Sequence, residues 1–140
     1  IESSSWKGSP VLLDFWANWC VNCKAASPTI QKWYEAYKDK GLKVYAVNAL
    51  ESFALEKPET DKGKLISLSK EKTDAYMKEH PDYTFEFAVF GDDLLTSWQV
   101  SGVPAFVLID KDGKLVSLTT GTKPEQMAEL EKQIAAQFSN

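Results

Sequence analysis

The chain has 140 residues, 44% of them hydrophobic and 12% aromatic, with only two cysteines. That content excludes a disordered polymer or a disulfide-stapled miniature scaffold and fits one domain able to bury a core unaided. The net charge is −4 and all sixteen basic residues are lysine, so no guanidinium can clamp a phosphate and nucleic acid is excluded as the expected partner.

Val11 to Ala17 is a short continuous apolar run between Ser9-Pro10 and a cysteine-bearing turn, the pattern of a buried central strand. A helix is expected from about residue 20 to 39, with Ile30, Trp33, Tyr34 and Tyr37 on one face, Pro28 bending it and Gly41 ending it. Residues 42 to 49 read as a second strand, and the order strand, helix, strand predicts a right-handed crossover with parallel pairing. Glu51, Glu56, Lys57, Pro58, Glu59, Asp61, Lys62 and Gly63 make residues 50 to 66 a polar loop, read as a plain surface insertion in preference to a partner-docking loop.

A lysine-rich helix is expected over residues 68 to 79, an extended segment over Phe85 to Phe90, and a short helix over Asp92 to Trp98 with acids in its first turn. Ala105 to Ile109 and Lys114 to Leu118 pair as an antiparallel hairpin across Asp110-Lys111-Asp112-Gly113. The last helix opens at Thr122, with Glu125 at capping-box spacing and Pro124 in its first turn, and buries Met127, Leu130, Ile134 and Phe138. The fold class is α/β, one domain over residues 1 to 140. No apolar stretch reaches the roughly 18 residues of a membrane span, and Ile1-Glu2-Ser3-Ser4-Ser5 lacks a basic and apolar leader, so an exported form is expected to have its signal or anchor outside this sequence.

Cys20 and Cys23, in Cys20-Val21-Asn22-Cys23, stand where the first strand gives way to the first helix. The first helical turn leaves N–H groups unpaired and carries the positive end of the dipole, which favours a thiolate. The pair has three readings: a redox-active couple, a structural disulfide, or half of a metal site. The first is favoured. A bridge this short constrains little of the chain, and structural zinc needs four ligands, whereas only His80 could add a strong third, in a loop-like His80-Pro81-Asp82 stretch where a solvated histidine is the simpler reading. No cofactor and no metal are expected. Asp14, an acid within the apolar strand, would have its pKa raised by desolvation into the range useful for proton transfer, against the plainer reading that it caps the strand or faces solvent.

Trp16-Ala17-Asn18-Trp19-Cys20-Val21-Asn22-Cys23-Lys24, preceded by Asp14-Phe15 and followed by Pro28, resembles the active-site region of the thioredoxin superfamily. The resemblance implies a thioredoxin-like fold, a central mixed sheet flanked by helices, with an inserted loop and helix between about residues 50 and 90. It places Ser101-Gly102-Val103-Pro104 where that superfamily carries a cis-proline and Gly121 before the last helix. Trp6-Lys7-Gly8, the insertion and Phe106-Val107-Leu108-Ile109-Asp110-Lys111-Asp112-Gly113 resemble the TlpA and ResA branch, which serves the bacterial cell envelope.

That resemblance implies a thiol-disulfide oxidoreductase that reduces protein disulfides in the envelope or periplasm, commonly in cytochrome c maturation. Its electron supply would be an upstream thiol donor such as a membrane reductase of the DsbD or CcdA type, and a monomer is expected. By the same resemblance Cys20 is the more exposed cysteine; as the N-terminal one at the helix dipole it reads as the nucleophile, Cys23 as the thiol that resolves the mixed disulfide, and Asp14 as the group that takes its proton through a water. Pro104, if cis, leaves Val103 free to pair with an extended substrate; Trp19 and Trp16 flank the site and read either as its apolar platform or, equally well, as core packing. Lys24 reads as a solvated first-turn residue. Two positions depart from the pattern: Ala26 stands where the ResA type often has an acid, and Ala46 where thioredoxin has the lysine that accompanies its buried acid. A peroxidase, an oxidase or isomerase on the same fold, and a non-enzymatic binding module are the alternatives.

Overall fold

The apolar run from Val11 to Trp16 forms strand β1, buried at every position. In the computed structural model, which describes residues 6–139, that strand lies at the centre of a five-stranded sheet. Its neighbours are β2 (Lys43–Asn48), paired in parallel, and β4 (Ala105–Ile109), paired antiparallel. The edges are β3 (Glu86–Ala88), parallel to β2, and β5 (Leu115–Thr120), antiparallel to β4. The order is β3-β2-β1-β4-β5, so the expected mixed sheet is present. The parallel pairing of β1 with β2 follows from the helix that links them.

Four helices accompany the strands among the described residues: α1 (Val21–Tyr37), α2 (Lys62–Glu79), α3 (Asp92–Ser97) and α4 (Pro124–Ala136). Alternation along β1 divides the core in two. Leu12 and Trp16 join Cys20, Cys23, Ile30 and Trp33 of the α1 side and Leu130 and Ile134 of α4 in one buried cluster. Val11, Leu13 and Phe15 join Val47, Leu95 and Val107 in the other. Asp14, between Leu13 and Phe15, therefore projects to the α1 side. No described helix is long and apolar enough to cross a membrane.

Three elements depart from the sequence reading at their boundaries. Helix α2 starts at Lys62, about a turn and a half before the expected residue 68, because Asp61 caps it by accepting the Lys64 N–H at 3.0 Å. Only Ser69, Thr73 and Tyr76 of that helix are buried, so its apolar stripe is too thin to mark its start. Helix α4 is capped one residue later than expected: the Lys123 N–H donates to Gln126 Oε1 at 3.1 Å, in place of a Thr122–Glu125 pair, with Pro124 at the first helical position. Of Phe85 to Phe90 only Glu86–Ala88 pairs as strand. Helix α1 retains Pro28 within it, and Gly41 turns the chain away from its end with φ +112°, a conformation glycine adopts without strain.

Of the glycines, Gly91 has the least room for a side chain. A Cβ there would stand 2.6 Å from Val47 Cγ1 and 2.9 Å from Phe15 Cε1, although its φ of −81° suits any residue. The Gly91 N–H is also committed, donating to the Asn48 carbonyl at 2.8 Å. Gly91→Ala is expected to lose about 2 kcal/mol by overpacking. Urea unfolding would read this as a lower midpoint at unchanged slope, and an unshifted midpoint would show that the Phe15 and Val47 side chains yield freely.

Candidate active site

Strand β1 ends at Trp16, and the Ala17-Asn18-Trp19 turn delivers Cys20 to the N-cap of α1 in extended conformation. The Cys20 N–H donates to the Ala17 carbonyl at 3.1 Å, and its sulfur accepts the N–H of Cys23 at 3.2 Å. A thiol at an N-cap receives the donor that a serine or aspartate would otherwise satisfy, and an anion there gains from the helix dipole as well. Cys20 and Cys23 are disulfide-bonded, their Cα atoms 5.2 Å apart. Cys20 is the more exposed of the two, yet only 5% against 1%, because it packs into the same cluster as Trp16 and Ala26.

Asp14 is 2% exposed, with Ala46 opposite it on β2 and Phe106 opposite it on β4. No lysine stands beside it in the register, in keeping with the departure at Ala46. Its Oδ1 is buried without a hydrogen-bond partner, and burial pushes the carboxyl from an ordinary 3.8 up to about 7. Strand alternation sets Asp14 on the face of the sheet that carries both cysteines. The plainer reading of a strand cap or a solvated acid is thereby removed.

The Val103–Pro104 peptide is cis, Val103 is half-buried, and the Pro104 carbonyl accepts the N–H of Gly121 at 2.9 Å. Trp19 is 38% exposed and donates its ring N–H to the Leu50 carbonyl at 2.8 Å. Trp16 is buried instead, 4.6 Å from the ring of Tyr76, so it belongs to the core beneath the site. Tyr76 donates its hydroxyl to Ser27 Oγ at 2.9 Å, and burial pushes that hydroxyl up to about 12. Lys24 rests its ammonium over the Tyr76 ring, 5.7 Å from its centre. His80 stacks on Tyr83 at the end of α2.

A buried polar network behind the turn was not anticipated. Glu51, read as part of a polar loop, is 5% exposed and accepts both the Asn18 N–H at 2.6 Å and the Asn48 side-chain N–H at 2.7 Å through one carboxylate oxygen. Asn48 in turn accepts the Ser69 hydroxyl at 2.8 Å, and Ser69 accepts the Phe90 N–H at 2.8 Å. The turn before Cys20 is thus tied to β2, to α2 and to the segment before α3, and each buried polar group is matched by another. A signal existed: Asn48 closes a buried strand whose carboxyl end lies level with that of β1, the position where parallel sheets gather functional side chains.

The sequence matches the AhpC/TSA family over residues 1–118. It is 33% identical over 130 residues to the thiol-disulfide oxidoreductase ResA of Bacillus subtilis, covering 91% of this chain and 62% of that protein. It is 32% identical over 136 residues to ResA of Bacillus thuringiensis, covering 96% of this chain and 68% of that one. The fold superposes with a TM-score of 0.71 and 31% identity on a Chlorobium tepidum protein assigned as the thiol:disulfide interchange protein DsbE, over 99% of this chain and 86% of the other. The chain therefore spans somewhat less than two thirds of the Bacillus subtilis protein's length.

Proposed function

The chain belongs to the AhpC/TSA family, and we propose that it is a thiol-disulfide oxidoreductase whose Cys20/Cys23 pair reduces disulfides in protein substrates. The observation that carries this reading is the sulfur of Cys20 at the N-cap of α1, receiving the Cys23 N–H at 3.2 Å. An anion at that atom has a directed donor and the positive end of a helix of 17 residues beneath it. Relatives named as thiol-disulfide oxidoreductases over more than nine tenths of the chain favour this activity over a peroxidase.

In the reduced protein the Cys20 thiolate attacks one sulfur of the substrate disulfide. A bond forms between Cys20 and that sulfur while the substrate's own S–S bond breaks, and the other substrate sulfur leaves as a thiolate that takes up a proton. Cys23 then loses its proton to Asp14 through an intervening water, and attacks Cys20 Sγ. The mixed disulfide breaks, the second substrate thiol is released with a proton, and the pair holds the disulfide. Two electrons have passed to the substrate, so an upstream thiol donor must return them; a membrane reductase of the DsbD or CcdA type has the appropriate chemistry. Val103, beside cis Pro104, offers its main chain to an extended substrate segment, and Trp19 supplies apolar contact beside the sulfur.

The ResA likeness favours the bacterial cell envelope as the place of action and cytochrome c maturation as the pathway, and we take a monomer as the working unit. Fold does not fix the direction of electron flow, so the midpoint potential of the pair tests the reading. A value near about −270 mV, as in thioredoxin, is expected of a reductant, whereas one near about −120 mV would assign an oxidant.

A further inference from the structure

We propose that Trp19 and Phe53 form an apolar ledge beside the disulfide that selects substrates carrying a large apolar residue next to the cysteine under attack. The proposal rests on the oxidoreductase reading above and names the substrate feature that the same site prefers.

Phe53 stacks on Trp19 with ring centres 6.1 Å apart and planes 17° apart. Trp19 is 38% exposed and Phe53 61%, and neither joins the two buried clusters. Core packing therefore does not account for the pair, which keeps a double-ring apolar surface in water. Val21, on the other side of Cys20 in sequence, is 78% exposed as well.

The ledge is held from behind. Trp19 donates to the Leu50 carbonyl at 2.8 Å, and the N–H of Phe53 reaches the same carbonyl at 3.2 Å. Leu50 itself sits at φ +58°, a left-handed conformation that a leucine adopts only when its surroundings impose it. Asp92 Oδ1 accepts the Leu50 N–H at 3.2 Å, and Glu51, next in the chain, is pinned by Asn18 and Asn48. Two rigid aromatic rings placed in advance lose little freedom on binding, which is how such side chains come to dominate contact surfaces.

Continuity with the sulfur identifies the occupant. Trp19 directly precedes Cys20, and in the mixed disulfide the substrate backbone is tethered to Cys20 Sγ. Each substrate residue extends the chain by about 3.3 Å, so the residues flanking the attacked cysteine fall within reach of the Trp19–Phe53 surface. Residues 50 to 54 thereby take part in substrate choice, which a plain surface insertion would not do.

The test uses the reduced protein and two synthetic peptides, each closed by one disulfide and differing only in a Phe or Ser before the first cysteine. Rate constants for oxidation of the protein are read by acid quench and thiol alkylation. Wild type is expected to react about tenfold faster with the Phe peptide. In Phe53→Ser that preference is expected to fall within about twofold, in Phe53→Tyr to persist, and the midpoint potential to stay that of wild type in both. A preference that survives Phe53→Ser, or a wild type that reduces both peptides equally, would overturn the ledge while leaving the oxidoreductase reading in place. A wild type oxidised by neither peptide would overturn both.

Discussion

Replacing Cys20 by serine is expected to lower turnover of a protein disulfide at least about a thousandfold while the fold persists, since removal of a covalent nucleophile leaves only binding and positioning behind. Serine serves the structure well. Its hydroxyl is among the best N-caps and can accept the Cys23 N–H that the sulfur accepts at 3.2 Å. The lost bridge closed a sequence separation of only 3, which in chain-entropy terms is worth about 2 kcal/mol. Circular dichroism and urea unfolding would therefore show a folded, slightly weaker protein, and reduction of a protein disulfide would be absent. An active Cys20→Ser protein would remove Cys20 from the chemistry altogether.

Asp14→Asn is expected to produce two opposite effects with one cause. Burial raises the Asp14 carboxyl from 3.8 unfolded to about 7 folded, so between those values the folded state holds a proton that the unfolded state has released. Stability contributed by the protonated carboxyl is fully present below pH 3.8 and is lost as the pH rises toward 7. Each pKa unit is worth about 1.4 kcal/mol, so the whole loss is on the order of 4 kcal/mol. Asparagine does not titrate. The variant should match wild type near pH 4 and exceed it by about 4 kcal/mol at pH 8, with the slope between them flattened. At and above about pH 7, where the wild-type carboxyl is ionised, the variant should resolve mixed disulfides about a hundredfold more slowly, the low end of what a positioned base contributes. A variant that is stabilised at pH 8 but resolves at the wild-type rate would leave Asp14 a buried acid without a part in the proton transfer.

Much of this was legible from local pattern. The unbroken apolar run of β1, the i, i+3, i+4, i+7 face of α1 and the Asp-Lys-Asp-Gly turn between β4 and β5 each depend on residues within one element, and each lies close to where the sequence put it. Asp14 stood out because a single acid in such a run has to be explained, and the strand's alternation then decides which side it faces. What escaped was non-local. Glu51 meets Asn18 across 33 residues and Asn48 meets Ser69 across 21, so a stretch of acids, lysines, proline and glycine looked like solvent-facing loop although one of its carboxylates is buried. The early start of α2 was hidden for a related reason: Asp61 was visible as a polar residue, but Gly63 two positions later and the lack of an apolar stripe masked its role as a cap. The near-complete burial of Cys20 depends on packing from several elements and has no signature in Cys20-Val21-Asn22-Cys23 itself.

The central claim is that Cys20 bonds covalently to a substrate sulfur and that Cys23 releases it. Trapping with Cys23→Ser tests this most directly: the reduced variant is mixed with an excess of a disulfide-bonded protein, quenched with acid and weighed by mass spectrometry. One substrate molecule attached per chain, mapped to Cys20 and absent from Cys20→Ser, is the predicted result. No adduct, or an equal yield from Cys20→Ser, would contradict the account.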